Sequence, residues 1–272
     1  MTAFARPAGL FEAVALAAQG YRLLAGGTDV YPGTGRQIAG DVLDLTALVE
    51  LRGFDTSNGL RIGACTTWSE IAEAALPQAL HGLQRAALQV GGRQIQNAGT
   101  IGGNICNASP AADGIPPLLA LDTELEFASV AGARRILLEQ ALLGPRTLAK
   151  TPGEILVALH IPPSALTGVS AFQKLGARSH LVISIVMAAV NLGIDAGTIQ
   201  RASIAVGSCA PTARRLRELE QSLIGMPLDR VRIDPELVIP ALSPIDDIRA
   251  TAGYRKTAAV TLLRRLVAGC AA

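Results

Sequence analysis

The sequence has few aromatic and few charged residues. Phenylalanine, tryptophan and tyrosine together make up 3% of the 272 residues, charged residues make up 17%, and the formal net charge is +2. A nucleic-acid-binding protein normally carries a basic patch, because neutralising phosphates supplies most of its affinity. Proteins that bind single strands also use aromatic stacking platforms, which this composition does not support. The scarcity of both residue classes argues against nucleic acid as a partner.

Cysteine and histidine are too scattered for a local metal site. Zinc and iron–sulfur sites usually need closely spaced ligand pairs such as CxxC. No such pair occurs among the four cysteines and three histidines, which are Cys65, Cys106, Cys209, Cys270, His81, His160 and His180. The spacing predicts no metal site within this chain and cysteines that serve as small buried side chains.

Targeting signals and long apolar segments are also lacking. The first seven residues do not show the charged region and apolar core of a secretory signal. The longest apolar run, 181–194, is interrupted by Ser184 and Asn191 and falls short of the roughly 20 residues that span a bilayer. We therefore expect this run to form a buried strand or helix, and we expect a cytoplasmic protein without a membrane span.

The chain does have the length and apolar content for several packed units. Half of its residues are hydrophobic, and 272 residues exceed the usual size of one domain. Short helix and strand patterns alternate, and Pro162-Pro163 ends a predicted strand. We predict three α+β units, namely an N-terminal subdomain at 1–55, a second subdomain at 56–163 and a smaller C-terminal domain at 164–272.

Two glycine-rich segments are the strongest local pattern. One is Ala25-Gly26-Gly27-Thr28-Asp29, which directly follows a predicted strand, and the other is Thr100-Ile101-Gly102-Gly103-Asn104, inside a predicted long loop at 91–113. Glycine tolerates positive φ, and its missing Cβ lets phosphate oxygens reach backbone amides. Neither segment matches the GxGxxG of a Rossmann crossover or a P-loop. The residues alone allow two unrelated tight turns or a site that holds two phosphates by amides instead of lysines.

A longer run around the second segment resembles a known protein family. The sequence TIGGNICNASPAAD at 100–113, followed by PLLALD at 117–122, is similar to the FAD-binding medium subunits of molybdenum hydroxylases. That family includes the flavin parts of xanthine dehydrogenase and aerobic carbon monoxide dehydrogenase. The resemblance covers nearly the whole chain, through 23–30, 144–156, 172–174, 205–212 and 253–256.

The resemblance implies a fold and a cofactor site. The expected fold is α+β, a two-subdomain FAD-binding fold of the vanillyl-alcohol-oxidase type followed by a smaller α+β C-terminal domain. The FAD pyrophosphate is expected against Leu23, Leu24, Ala25, Gly26, Gly27, Thr28, Asp29 and Val30, and against Thr100, Ile101, Gly102, Gly103 and Asn104.

Three further residues match cofactor-binding positions of the family. Asp113 matches an aspartate that binds the nucleotide part of FAD, and Leu156 and Lys174 match positions on the isoalloxazine side. A lysine there could stabilise negative charge on reduced flavin. From the residues alone, Asp113 could equally be a turn aspartate that bonds its own backbone, and Lys174 a solvated lysine at a strand end.

The resemblance also implies partner chains. In the family a molybdenum cofactor hydroxylates the substrate, two [2Fe-2S] clusters conduct electrons, and the flavin passes them to an external acceptor such as NAD⁺. Because this chain matches the flavin part alone, the molybdenum cofactor and both clusters are expected on a large and a small partner subunit, in a dimer of heterotrimers. Two alternatives stay open: a free-standing FAD oxidoreductase of the same fold, and a non-catalytic assembly subunit.

Overall fold

The computed structural model describes residues 3–35, 38–179 and 181–270, so the prediction for His180 lies outside the described residues. The chain begins with a small three-stranded sheet and one helix. Its elements are β1 (Phe4–Ala5), α1 (Leu10–Ala18), β2 (Arg22–Leu24) and β3 (Val42–Asp44). β3 lies between β1 and β2 and is parallel to both. Ala13, Val14 and Ala17 form the buried face of α1, at the spacing of an amphipathic helix.

The middle of the chain forms an antiparallel sheet covered by short helices. Its elements are β4 (Phe54–Asp55), β5 (Leu60–Gly63), α2 (Trp68–Glu73), α3 (His81–Ala87), α4 (Arg93–Ala98), α5 (Ile101–Asn107), α6 (Ile115–Ala120), β6 (Glu124–Ser129), β7 (Gly132–Leu137), α7 (Leu138–Ala141), β8 (Leu142–Gly144), β9 (Thr147–Leu148) and β10 (Ile155–Ile161). The main sheet has the order β4-β5-β10-β6-β7, and β8 and β9 pair separately.

The central strand β10 is buried on both faces. Ile155 and Val157 belong to the apolar core shared with α1 and β3, whereas Leu156, Leu159 and Ile161 belong to the core beneath the helices of the middle unit. Alternate side chains of a strand point to opposite faces, and a register shift between Leu156 and Ala158 exchanges the two faces along β10. A strand between two cores needs apolar residues at nearly every position. β10 therefore joins the first two units of the chain.

The last part of the chain forms a second antiparallel sheet with helices on one side. Its elements are β11 (Val169–Leu175), β12 (Val186–Asp195), β13 (Thr198–Gly207), β14 (Arg214–Arg215), α8 (Arg217–Leu223), α9 (Pro235–Val238) and α10 (Ala252–Gly269). The strands pair in sequence order. Residues 186–192 are all buried, which confirms the prediction of a buried element in the apolar run. No helix in the described ranges is long and apolar enough to cross a bilayer.

The prediction of one long loop at 91–113 is wrong, because α4 and α5 lie within it. Two glycines lower the helical propensity of α5, each by about 1 kcal/mol relative to alanine. The helix forms because Thr100 caps it, with its Oγ1 accepting the Gly103 N–H, and because Ile101 and Ile105 are completely buried. A capping box starts α2, in which Thr67 Oγ1 accepts the Glu70 N–H and Glu70 Oε2 accepts the Thr67 N–H.

Glu154 fastens the loop before β10 to the edge of the sheet. Its Oε2 accepts hydrogen bonds from Arg134 Nη2 at 2.8 Å and from the Thr151 N–H at 2.7 Å. The hydrogen bonds from Arg134, opposed by burial, lower the pKa of Glu154 to about 2. A carboxyl group whose pKa is depressed on folding adds stability above its unfolded pKa and loses it as the pH falls towards the folded value.

We expect Glu154→Gln to unfold at lower urea concentration than the parent at pH 7. Because the stabilisation disappears in acid, the difference between the two proteins should narrow as the pH is lowered from about 4.5 towards 2. Glu73→Gln is the control, since its ion pair with Arg93 is largely exposed and exposed pairs add little. A pH-independent difference for Glu154→Gln would contradict this assignment.

Candidate cofactor-binding site

A cleft of about 690 Å³ opens between the end of β2 and the start of α5. It brings together residues that lie about 75 positions apart in the sequence. The predicted residues that line it are Leu23, Ala25, Gly26, Gly27, Thr28, Asp29, Val30, Thr100, Gly102, Gly103, Asn104 and Leu156. Four predicted residues do not line it, namely Leu24, Ile101, Asp113 and Lys174. Leu24 and Ile101 are buried core residues.

The segment 25–29 presents backbone amides that the protein itself does not use. None of the five N–H groups donates a hydrogen bond to another described residue, although Gly27 is buried. The Gly27 carbonyl accepts the N–H groups of Val30 and Tyr31, which closes the turn. Buried backbone N–H groups nearly always have a partner. A row of unpaired amides in a cleft is therefore an anion-binding arrangement.

The two glycines of this segment are needed for different reasons. Gly27 has φ +70°, and a Cβ there would fall 2.2 Å from Cε2 of Tyr31. Gly26 has no such backbone conformation, but a Cβ on it would fall 1.8 Å from the carbonyl oxygen of Ala98 at the end of α4. The first glycine-rich segment thus packs backbone to backbone against the segment that precedes α5.

The second glycine-rich segment is the first turn of α5, and its amides are already paired. The N–H of Gly102 donates to the Ala64 carbonyl at 2.8 Å, and the N–H of Gly103 donates to Thr100 Oγ1 at 3.1 Å. A Cβ on Gly102 would fall 2.6 Å from Ala64, so Gly102 permits close packing. Gly103 is exposed on the cleft, and a Cβ there would approach only Thr100 Oγ1, at 2.9 Å.

Asp113 and Lys174 form a buried ion pair outside the cleft lining. Lys174 Nζ donates to Asp113 Oδ2 at 2.6 Å, to the Gln89 carbonyl at 2.9 Å and to the Val182 carbonyl at 3.3 Å. Ser184 Oγ donates to Asp113 Oδ1 at 2.6 Å. Burial raises the pKa of Asp113, and Lys174 and Ser184 oppose that rise. All three ammonium donors of Lys174 are used, and its side chain is only 4% exposed, so it is not a solvated strand-end lysine.

Comparison with known proteins identifies the family of this chain. Residues 1–164 match the family model described as the FAD binding domain in molybdopterin dehydrogenase. Residues 170–269 match the model described as the CO dehydrogenase flavoprotein C-terminal domain. The chain belongs to the family of FAD-binding medium subunits of molybdenum hydroxylases.

Curated relatives align with this medium subunit over almost its full length. It is 33% identical to the xanthine dehydrogenase FAD-binding subunit of Escherichia coli O157:H7, with 96% of this chain and 93% of the relative covered. It is 31% identical to the carbon monoxide dehydrogenase medium chain of Afipia carboxidovorans, with 96% and 94% covered. The medium subunit is therefore an oxidoreductase subunit of the xanthine and carbon monoxide dehydrogenase type.

Solved structures of carbon monoxide dehydrogenases share the fold. A chain of the cyanide-inactivated Cu,Mo-CO dehydrogenase superposes with a TM-score of 0.90 at 29% identity, covering 99% of this chain and 97% of the other. A chain of the Hydrogenophaga pseudoflava enzyme that lacks the Mo-pyranopterin moiety superposes with a TM-score of 0.91 at 27% identity, covering 99% and 96%. The predicted α+β FAD-binding fold with a C-terminal α+β domain is confirmed.

The chemistry of the cleft in this medium subunit fits a dinucleotide diphosphate. Unpaired amides at 25–29 supply donors, and Arg22 and Lys150 line the cleft as cations. A second cleft of about 640 Å³ lies at the other end of β10 and is lined by four carboxylates, Asp55, Asp122, Glu124 and Glu126, against two arginines, Arg61 and Arg135. The excess of carboxylates would repel a diphosphate, whereas the cleft with the glycine segments has Asp29 beside the two cations, so the latter is the candidate cofactor site.

Reasoning from the sequence missed half of the cleft lining. The missed residues are Tyr21, Arg22, Leu45, Ala64, Cys65, Trp68, Val90, Ile95, Gly99, Cys106, Asn107 and Lys150. The sequence pointed to Trp68 only indirectly, because Trp68 follows the helix-capping residue Thr67. In the structure Thr67 pairs with Thr100 across an isolated β-bridge, and Thr100 lines the cleft. The cysteine prediction holds for Cys65, where burial raises the thiol pKa to about 12, but it is wrong for the exposed Cys106.

Proposed function

We propose that this medium subunit takes electrons from [2Fe-2S] clusters on a partner subunit and passes them through its FAD to an external acceptor such as NAD⁺. The observation that carries the proposal is the row of unpaired amides at 25–29, which suits a cofactor diphosphate. Bound FAD supplies the redox chemistry, since it carries electrons singly or in pairs. The chain's own cysteines are too far apart for a cluster, and the clusters are therefore assigned to a partner.

The proposed roles of the site residues follow from their positions. Residues 23–30 bind the pyrophosphate by backbone amides, and Thr100 to Asn104 form the opposite wall. Leu156 supplies an apolar surface on the isoalloxazine side. Asp113 and Lys174 support the site indirectly, because they do not line the cleft and their polar atoms are engaged with each other and with Ser184.

We also propose three structural units, 1–55, 56–163 and 164–272. The three larger sheets support the division, with β1–β3 in the first unit, β5–β7 and β10 in the second and β11–β14 in the third. The exception is β4 (Phe54–Asp55), which ends the first unit but pairs with β5 of the second. The units are not independent, since Phe172 and Met187 of the third share a small core with Ala86 and Ala120 of the second. The cleft lies between the first two units.

The proposed assembly is a dimer of heterotrimers with a small [2Fe-2S] subunit and a large molybdenum subunit. Two lines support it: relatives are named as a subunit or a medium chain, and the match to them is end to end. Which acceptor takes the electrons is the part of the proposal most open to test, with NAD⁺, a quinone and dioxygen as the candidates.

The experiment is purification of the tagged chain from its native source, followed by reoxidation of the reduced complex. We expect co-purification of two further chains, bound FAD, molybdenum, and iron in a ratio of about four per flavin, the number that two [2Fe-2S] clusters contain. Dithionite-reduced complex should be reoxidised by NAD⁺ faster than by dioxygen. Full dehydrogenase activity of the isolated chain would favour a free-standing flavoenzyme, and a chain that never binds FAD would favour an assembly subunit.

A further inference from the structure

Trp68 lies in the cofactor cleft but is not among the residues that the family resemblance assigns to FAD. It is the single tryptophan of the chain and the first residue of α2. Its side chain lines the cleft although the residue is only 1% exposed. Its backbone N–H donates to the Gly99 carbonyl at 3.1 Å, which ties the start of α2 to the segment before α5.

Two glycines make room for the indole ring and fix its orientation. A Cβ on Gly99 would lie 3.4 Å from Cδ1 of the ring, and a Cβ on Gly114 would lie 2.4 Å from Cη2 and 3.1 Å from Cζ2. Nε1 lies on the ring edge that joins Cδ1 to Cζ2. The edge that carries the indole N–H therefore runs from Gly99 to Gly114.

Both ends of that edge adjoin polar groups of the cleft. The Cβ position of Gly99 is 3.5 Å from Thr28 Oγ1, and the Cβ position of Gly114 is 3.0 Å from Asn104 Oδ1. Thr28 and Asn104 both line the cleft. The indole N–H is thus placed between the anion-binding segment and the first turn of α5.

This region contains a donor and an acceptor without protein partners. Asn104 Oδ1 is buried and accepts no hydrogen bond. Among the described residues Trp68 Nε1 donates no side-chain hydrogen bond, and unlike Asn104 Oδ1 it is not one of the fully buried unpaired atoms. A buried acceptor left unpaired is costly, so Asn104 Oδ1 is expected to find a donor in the loaded protein. The indole N–H, on the edge that adjoins Asn104, is available to the same ligand group.

We infer that Trp68 Nε1 and Asn104 Oδ1 together bind one sugar hydroxyl of FAD, from the ribityl chain or from the ribose. A hydroxyl can donate to Asn104 and accept from Trp68 at the same time, whereas a phosphate or carbonyl oxygen can only accept. The inference rests on the proposed FAD site. It makes Trp68 a cofactor-binding residue in addition to a packing residue of α2.

The first test uses the single indole resonance that one tryptophan gives in a ¹H–¹⁵N spectrum. Adding FAD to the apoprotein should move the indole proton downfield and slow its exchange with solvent. FMN and ADP are then added separately, because FMN carries the ribityl hydroxyls without the ribose and ADP carries the ribose without the ribityl chain. The compound that reproduces the shift of the indole proton shows which hydroxyl is bound. FAD binding without any change in this resonance would overturn the inference while leaving the FAD site intact.

The second test removes the indole N–H without changing the ring shape. Expression in the presence of β-(3-benzothienyl)alanine replaces N–H by sulfur at position 68 alone, because the chain has no other tryptophan. We expect about tenfold weaker FAD binding and an unchanged far-UV spectrum for the apoprotein. When the sulfur analogue is combined with Asn104→Ala, FAD affinity should fall by less than the product of the two separate fold-losses, because both groups bind one hydroxyl.

The outcomes separate the two proposals. An apoprotein that binds no FAD in its unmodified form contradicts the cofactor site itself. Normal FAD binding in the unmodified protein, with affinity unchanged within about twofold after the N–H is replaced, contradicts only the role of Trp68.

Discussion

Gly103→Val is expected to weaken FAD binding by about 100-fold, or about 2.7 kcal/mol, while leaving most of the stability of the apoprotein. Gly103 is exposed on the cleft in the first turn of α5, where an added Cβ would meet Thr100 Oγ1 and no backbone. The branched side chain would occupy the space through which the cofactor approaches the segment 25–29. Titration of the apoprotein with FAD, followed by flavin fluorescence, measures the effect.

Gly253→Val is the matched control for this variant. Gly253 also lies in the first turn of a helix, α10, and a Cβ there would have no heavy atom within 4 Å. This control measures how much stability is lost when valine is placed near the start of a helix, away from the cleft. If Gly103→Val binds FAD with an affinity within about threefold of that of the parent, the cofactor does not pass this position.

From the sequence it was possible to predict which segments meet at the proposed cofactor site, but not how each residue would serve it. The two glycine-rich segments alone allowed an anion site or two unrelated tight turns, and the family resemblance favoured the first. The structure separates their roles: Gly27 needs a positive φ, Gly26 and Gly102 permit backbone packing, and Gly103 leaves the cleft open. These differences depend on contacts with Ala98 and Ala64, which are far away in sequence, so no local pattern contains them.

The fold class could be predicted from local sequence patterns, but individual elements such as α5 and β7 could not. Strands β5 and β6 are short segments that alternate polar and apolar residues, a pattern that indicates a strand with one buried face. Helix α5 escaped prediction because its stability comes from burying Ile101 and Ile105 and not from its own propensity. β7 was missed because its residues 132–137 face solvent and carry no buried alternation.

Lys174→Met is expected to destabilise the apoprotein by about 3–5 kcal/mol, the usual cost of leaving one partner of a buried ion pair alone. The substitution removes the partner of Asp113 and also leaves the carbonyl groups of Gln89 and Val182 without their donor. Urea unfolding of the apoprotein measures the loss. Lys256→Met, at a partly exposed position of α10, is the control for removing one positive charge.

The double variant Lys174→Met/Asp113→Asn tests whether the unpaired charge is the cause. It should be more stable than Lys174→Met, because no carboxylate is then left buried beside Ser184. In Lys174→Met the carboxyl of Asp113 has its pKa raised by burial, so folding favours the protonated form. A carboxyl group whose pKa is raised on folding adds stability below its unfolded pKa of about 3.9, and this stability is lost as the pH rises. The free energy of unfolding of Lys174→Met should therefore fall further below that of the parent at pH 8 than at pH 4.5.

The same variants decide between two roles for Lys174. If Lys174 acts by neutralising the buried Asp113 carboxylate, FAD affinity should fall together with stability in Lys174→Met, and Asp113→Asn should restore part of both. The wall formed by Val90, next to Gln89, gives the physical link to the cleft. If Lys174 instead touches the flavin directly, as the family resemblance implies, the double variant would recover stability without recovering affinity. The buried geometry of the ion pair favours the first result, because its three donors are already engaged.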